Sequence, residues 1–289
     1  MQKSVIQHLR IPFSLFLLPF YCFALSQARP IILFNSILSF IIIHFLFYPA
    51  SNGYNSYFDK DEESIGGLKN PPPVVKQLYN VSLVFDLIAL ILSFFISWRF
   101  ALMIFVIGLA SKAYSHPAIR LKKYPFLGLL TVAYFQGSFT YMMSYLAITD
   151  CAFSDLLNFN IVFPSLLCSA VLFGSYPMTQ VYQHGEDGRR GDKTISLLLG
   201  IKGTFLWTAV IFILALGGFY YFLNRMYSIA IFGALVICLL PTLFYFFFWF
   251  YKVLVDRSNA NFESTMRLNM LSSIGFITFF ISLLLIANL

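Results

Sequence analysis

About nine apolar stretches, each near the roughly 20 residues a helix needs to cross a bilayer, follow one another along this chain of 289 residues. They lie near 11–28, 31–57, 78–98, 100–116, 126–149, 158–184, 203–223, 227–251 and 268–288. Hydrophobic residues make up 59% of the sequence and charged residues 11%, a balance outside the soluble range. A backbone in lipid must satisfy its own hydrogen bonds, so helices or a closed barrel are the available solutions. Period-2 alternation is absent, which removes the barrel. The expectation is an all-α polytopic membrane protein of about nine transmembrane helices. The opening MQKSVIQHLRIPFSLFLLPF lacks a small-residue cleavage site and runs into further spans, so it reads as a retained segment.

The net charge of +7 belongs to this layout and not to nucleic-acid binding. With the N-terminus in the cytoplasm, most Lys and Arg fall inside, while Arg29, Arg99 and Arg225 fall outside. That asymmetry, with an odd span count, predicts N-in and C-out in the cell (inner) membrane. The four cysteines are scattered without CxxC spacing and predict neither a disulfide framework nor a thiolate metal site.

One polar pattern is written twice. YPASNGYNSYFD at 48–59 returns as YPMTQVYQHGED at 176–187, 128 positions later. The offset pairs Tyr48 with Tyr176, Pro49 with Pro177, Asn52 with Gln180, Asn55 with Gln183 and Asp59 with Asp187. On continuous helices, 48, 52, 55, 59 and 63 form one stripe, and 176, 180, 183 and 187 another. Carboxamides and carboxylates at a membrane boundary are costly unless they bind something. The sequence is therefore read as one membrane-embedded domain, 1–289. Its related halves, near 11–125 and 126–289, meet around a central polar cavity open to the cytoplasm. Pro49 and Pro177 are expected to bend their helices just before the site.

Three inner loops, 59–77, 115–125 and 185–202, carry Gly or Pro with charge. Asp59, Glu63 and Asp187 are spaced to point one way, with bases just beyond them at 120–123 and 189–193. Hard oxygen ligands beside Lys and Arg suit a magnesium-bound diphosphate.

At these residues the chain resembles the UbiA-type intramembrane prenyltransferases. The first motif of that family, N-D-x-x-D-x-x-x-D, is met by Asn55, Asp59 and Glu63, with Ser56 in place of an Asp. The second acidic motif and its following run are met by Asp187, Gly191, Lys193 and Thr194, with Gln183 replacing an acid. Between them stand Tyr114, Ser115, Pro117, Arg120 and Lys122. The resemblance implies Mg²⁺ held by Asn55, Asp59, Glu63, Gln183 and Asp187, and a diphosphate bound by Tyr114, Arg120, Lys122 and Lys193. It implies that Asp59, Asp187 and Asn55 carry catalysis. The reaction would be Mg²⁺-dependent prenyl transfer from a prenyl diphosphate to a small hydrophobic or aromatic acceptor within membrane lipid. Two other readings stay open. A non-catalytic prenyl-lipid-binding homologue is motivated by Ser56 and Gln183. A transporter of an anionic lipid or metabolite fits the repeat but not two stripes at one membrane face.

His8, His44, His116 and His184 lie on different segments, which does not suit paired haem ligation; His184, beside Gln183, is a candidate for proton transfer. Asp86 and Lys112 are expected to form an ion pair between the third and fourth helices, with a role in acceptor binding as the alternative.

Overall fold

A computed structural model of the chain describes residues 2–286 and is built of helices. Among the described residues, the only β pairing is an isolated bridge between Ile65 and Leu68. In chain order the helices are α1 (Lys3–Gln27), α2 (Leu33–Asp59), α3 (Lys76–Ser93), α4 (Trp98–Ser115) and α5 (residues 125–149). They continue as α6 (Phe159–Gln180), the short α7 (His184–Arg190), α8 (Ile195–Met226), α9 (Ile229–Val255) and α10 (Phe262–Ile286). Seven of these are long and apolar enough to cross a membrane: α1, α2, α3, α6, α8, α9 and α10. Helices α4 and α5 lie where two further spans were expected but are not among those seven.

Three helices, α1, α2 and α6, depart from α geometry near a proline, which has no backbone N–H to donate. Pro49 cannot donate to the preceding turn, and α2 widens to a π-helix over Ile42–Phe47 just before it. Pro177 lies in the closing 3₁₀ stretch of α6, Tyr176–Gln180. Helix α1 is interrupted at Arg10, whose φ of 47° is left-handed, two residues ahead of Pro12. A second π-helix, Ala133–Phe139, sits inside α5. There Gly137 lets α5 approach α6 so closely that a Cβ would meet the Ser169 Cα at 2.7 Å.

These departures correct the two stripes. Helix α2 ends at Asp59, because Lys60 adopts left-handed φ and its N–H caps the Ser56 carbonyl at 3.0 Å. Glu63 is therefore off the stripe. Residues 176–187 are likewise not one helix: the 3₁₀ stretch, a turn at 181–183 and α7 share them. Gly191, with φ of 74°, then reverses the chain after Arg190.

Helices α1 and α10 pack together and join the first part of the chain to the last. Phe23 of α1 stacks on Phe280 of α10 with ring centroids 4.2 Å apart. Tyr141, Phe219 and Phe222 surround that pair in a buried cluster. Lys112 pairs with Asp86 as expected, and its ammonium lies 4.6 Å from the Tyr54 ring centroid. All four cysteines are free.

Candidate active site

A cavity of about 360 Å³ opens between the helices, lined by residues from both halves of the chain. One end is polar and the other is walled by Phe16, Phe20, Phe212, Leu216, Phe246 and Phe276. Six of the residues expected at the site line it: Asn55, Asp59, Tyr114, Lys122, Gln183 and Asp187. The offset of 128 residues thus does bring Asn55 and Asp59 to the same cavity as Gln183 and Asp187.

Each is held by the local fold. Asp59 is the last residue of α2, its side chain 3% exposed and ion-paired with Lys122. The Arg120 guanidinium reaches it at 3.7 Å. Asn55, one turn earlier, donates to Ser115 Oγ at 2.9 Å, which ties α2 to the end of α4. Gln183 donates to the Ser64 carbonyl at 3.2 Å and links α7 to the loop after α2. Tyr114 and Tyr176, one from each half, share a hydrogen bond between their hydroxyls. Asp187 lies in the first turn of α7, and burial pushes its carboxyl up to about 7 against the pull of Lys122.

Three expected residues do not line the cavity. Glu63 is half-exposed and pairs with Arg189 at the surface. Lys193 is exposed, and its backbone N–H donates to the Lys123 carbonyl at 3.2 Å. Arg120 stands behind Asp59 and grips Asp192 through two bonds of 3.0 and 2.8 Å. Asp192 is buried, which opposes ionisation, but those bonds and the Lys122 charge hold its carboxyl below the usual range. His184 bonds Ser196 Oγ at 2.7 Å, and burial lowers its pKa.

The structure adds residues that motif spacing does not mark. Arg190 lines the cavity and pairs with Asp61 and Glu186. Arg10, Asn52 and Tyr182 line it as well. Asn52 was visible as a member of the repeat; Arg10 carried no signal beyond its charge.

Asp59 Oδ1 and Asp187 Oδ2 are buried without a hydrogen-bond partner. Two carboxylates with unused lone pairs, flanked by the carboxamides of Asn55 and Gln183, fit a hard divalent cation. Among the described residues no cluster of three or more His, Cys, Asp or Glu could hold a metal alone. Mg²⁺ commonly takes one or two carboxylates and completes its octahedron with phosphate oxygens and water, so this set suits a metal that arrives with its substrate.

Comparison with known proteins places these features in a family. Residues 16–274 match the UbiA prenyltransferase family. The fold is similar to that of a UbiA homologue from Archaeoglobus fulgidus solved with DMAPP and Mg²⁺ (TM-score 0.70, 16% identity, 98% of this chain and 99% of that one). An apo UbiA homologue from Aeropyrum pernix K1 is equally similar (TM-score 0.71, 17% identity, 96% and 99%). A digeranylgeranylglyceryl phosphate synthase shares the fold at a TM-score of 0.62 and 18% identity over 98% of both chains. No curated protein matches the sequence. This integral membrane protein belongs to the UbiA prenyltransferase family.

Proposed function

We propose that the protein transfers a prenyl group from a prenyl diphosphate to a nucleophilic lipid-precursor acceptor within the membrane, and that it requires Mg²⁺. The observation that carries the reading is the convergence of Asp59 and Asp187, each with an unpartnered buried oxygen, on one cavity with Lys122. Relatives of the same fold were solved with DMAPP or GPP and Mg²⁺, which supports the substrate class.

In this reading Asp59 and Asp187 anchor the cation, with Asn55 and Gln183 beside them. When bound, Mg²⁺ offsets the negative charge that grows on the departing diphosphate. Lys122 and Arg190 line the same polar end and donate to phosphate oxygens. Arg120, bonded to Asp192, adds a second positive charge 3.7 Å from the Asp59 carboxylate. The allylic C–O bond breaks with its electron pair leaving on the diphosphate; the acceptor forms the new bond and gives up a proton. The Phe-lined end holds the prenyl tail and keeps water from the allylic carbon. Ile213 and Phe247 line the cavity and are also exposed, so a tail can enter sideways from lipid. In this reading the polar end faces the cytoplasm, which the excess of Lys and Arg in the adjoining loops supports.

The test is release of diphosphate by purified protein from prenyl diphosphates of several chain lengths, with acceptors, with Mg²⁺ and after chelation. Mg²⁺-dependent release supports transfer. Binding without turnover would support the non-catalytic reading, and neither binding nor turnover would overturn both.

A further inference from the structure

The turn between α9 and α10 carries cations that the cavity does not use. Lys252 lies in the last turn of α9, Arg257 on the turn itself and Arg267 in the second turn of α10, all exposed. Among the described residues none of the three pairs with a carboxylate. The two acids at hand are committed elsewhere. Asp256 accepts from the Ser258 N–H at 2.9 Å and from its hydroxyl at 2.6 Å, and Glu263 pairs with Lys69.

Two of these cations are drawn back onto aromatic rings. The Lys252 ammonium lies 4.7 Å from the Phe248 ring centroid, and the Arg267 guanidinium 5.8 Å from that of Tyr245. Residues three apart on a helix are neighbours, about 5–6 Å between Cβ atoms, so the two cations lie over adjacent rings of α9. Trp249, beside them, donates its indole N–H to the Asn259 carbonyl at 2.7 Å and fixes the turn. Along the same faces, deeper in each helix, apolar side chains point outward: Phe244 and Phe248 on α9, Met270 and Ile274 on α10. The two helices come close at Gly275, where a Cβ would lie 2.6 Å from the Cys238 carbonyl. Basic residues that only set topology are spread through the loops and reach into water. Here one from each of two packed helices stands above a shared apolar strip, which matches the two parts of a phospholipid.

We propose that this outer face of α9 and α10 binds the phosphodiester headgroup of an anionic membrane phospholipid. Lys252 and Arg267 donate to its phosphate oxygens, and its acyl chains run along Phe244, Phe248, Met270 and Ile274. Leu268 and Asn269, which follow Arg267, line the cavity, and Phe262 packs on the cavity residue Tyr182 with ring centroids 5.5 Å apart. The lipid therefore sits behind the cavity wall and outside the diphosphate site.

The experiment is native mass spectrometry of the whole protein released from nanodiscs of equal phosphatidylglycerol and phosphatidylcholine, which counts the lipids retained. Wild-type protein is expected to keep one phosphatidylglycerol in preference to phosphatidylcholine by about 5–30-fold, at roughly fivefold for each basic residue beside the phosphate. Lys252→Gln and Arg267→Gln should each lower the preference about fivefold, and the double variant should abolish it. Lys76→Gln with Lys202→Gln removes the same charge from two other exposed lysines and should leave the preference intact. Excess glycerophosphate, a headgroup without acyl chains, should not displace the lipid. No preference in the wild type, or one that survives the double variant, overturns the proposal. An equal loss in the Lys76 and Lys202 variant also overturns it, since general surface charge would then account for binding. Displacement by glycerophosphate overturns the lipid as occupant and leaves a simple phosphate site. If the double variant does not fold, the two single variants decide on the same terms.

Discussion

Replacing Lys122 by Met separates what the cation does for folding from what it does for substrate. The Lys122 side chain is 14% exposed and that of Asp59 3%, so water cannot replace the lost partner. Asp59 would keep only the Arg120 guanidinium at 3.7 Å, already committed to Asp192. Removing one member of a buried pair costs about 3–5 kcal/mol, because the other charge is left uncompensated. For a chain of this size that is a fall of roughly 6–20 °C in thermal midpoint. Asp59→Asn added to Lys122→Met removes the stranded charge, and the double variant should regain most of the loss. Substrate tells the other half. Loss of a charge-assisted bond to phosphate should weaken prenyl-diphosphate binding by about 10–150-fold, and the double variant should not recover it. The assays are melting followed by tryptophan fluorescence and prenyl-diphosphate titration in Mg²⁺. A double variant no more stable than Lys122→Met, or a Lys122→Met protein that binds prenyl diphosphate normally, would refute the argument.

Other outcomes follow from the same geometry. Asp59→Ala and Asp187→Ala should each abolish Mg²⁺-dependent diphosphate release while folded protein remains in the membrane; near-normal release by both removes the metal assignment. Lys193→Ala and Glu63→Ala should weaken prenyl-diphosphate or Mg²⁺ binding far less than Lys122→Met or Asp59→Ala, because both residues lie off the cavity wall; equal losses in the titrations would contradict this placement. In substrate-free protein, protons compete with a cation at Asp187, whose carboxyl sits at about 7. Its pKa is raised above the unfolded value, so ionisation costs stability increasingly as pH rises from about 4 to 7, while cation affinity rises over the upper part of that range. Mn²⁺ titrations that are flat between pH 6 and 8 would sink this point. Gly137→Val should destabilise by about 1–3 kcal/mol, as an added side chain meets the α6 backbone; an unchanged melt would show that α5 and α6 can separate freely.

What the sequence determined by itself is the part governed by solvent and repetition. Apolar runs of span length must become helices in lipid, because an unpaired backbone group there has no water to turn to. The twofold YP pattern, with Asn55 and Asp59 answering Gln183 and Asp187, marked four residues that line one cavity. Periodicity carries only as far as the helix does. Lys60 turned left-handed and ended α2, so Glu63, in register on paper, went to the surface and met Arg189. The second copy lost its register at Pro177, and Asp187 reached the site on a separate short helix. Tertiary structure alone decided the partners that lie far apart in sequence: Arg120 with Asp192, Tyr114 with Tyr176, and Arg190 with Asp61. It alone placed Arg10 in the wall, since a single basic residue near a chain start looks the same whether it faces solvent or closes a cavity. Those choices depend on long-range packing and on which charges are left without water, and neither is written in the spacing of one chain.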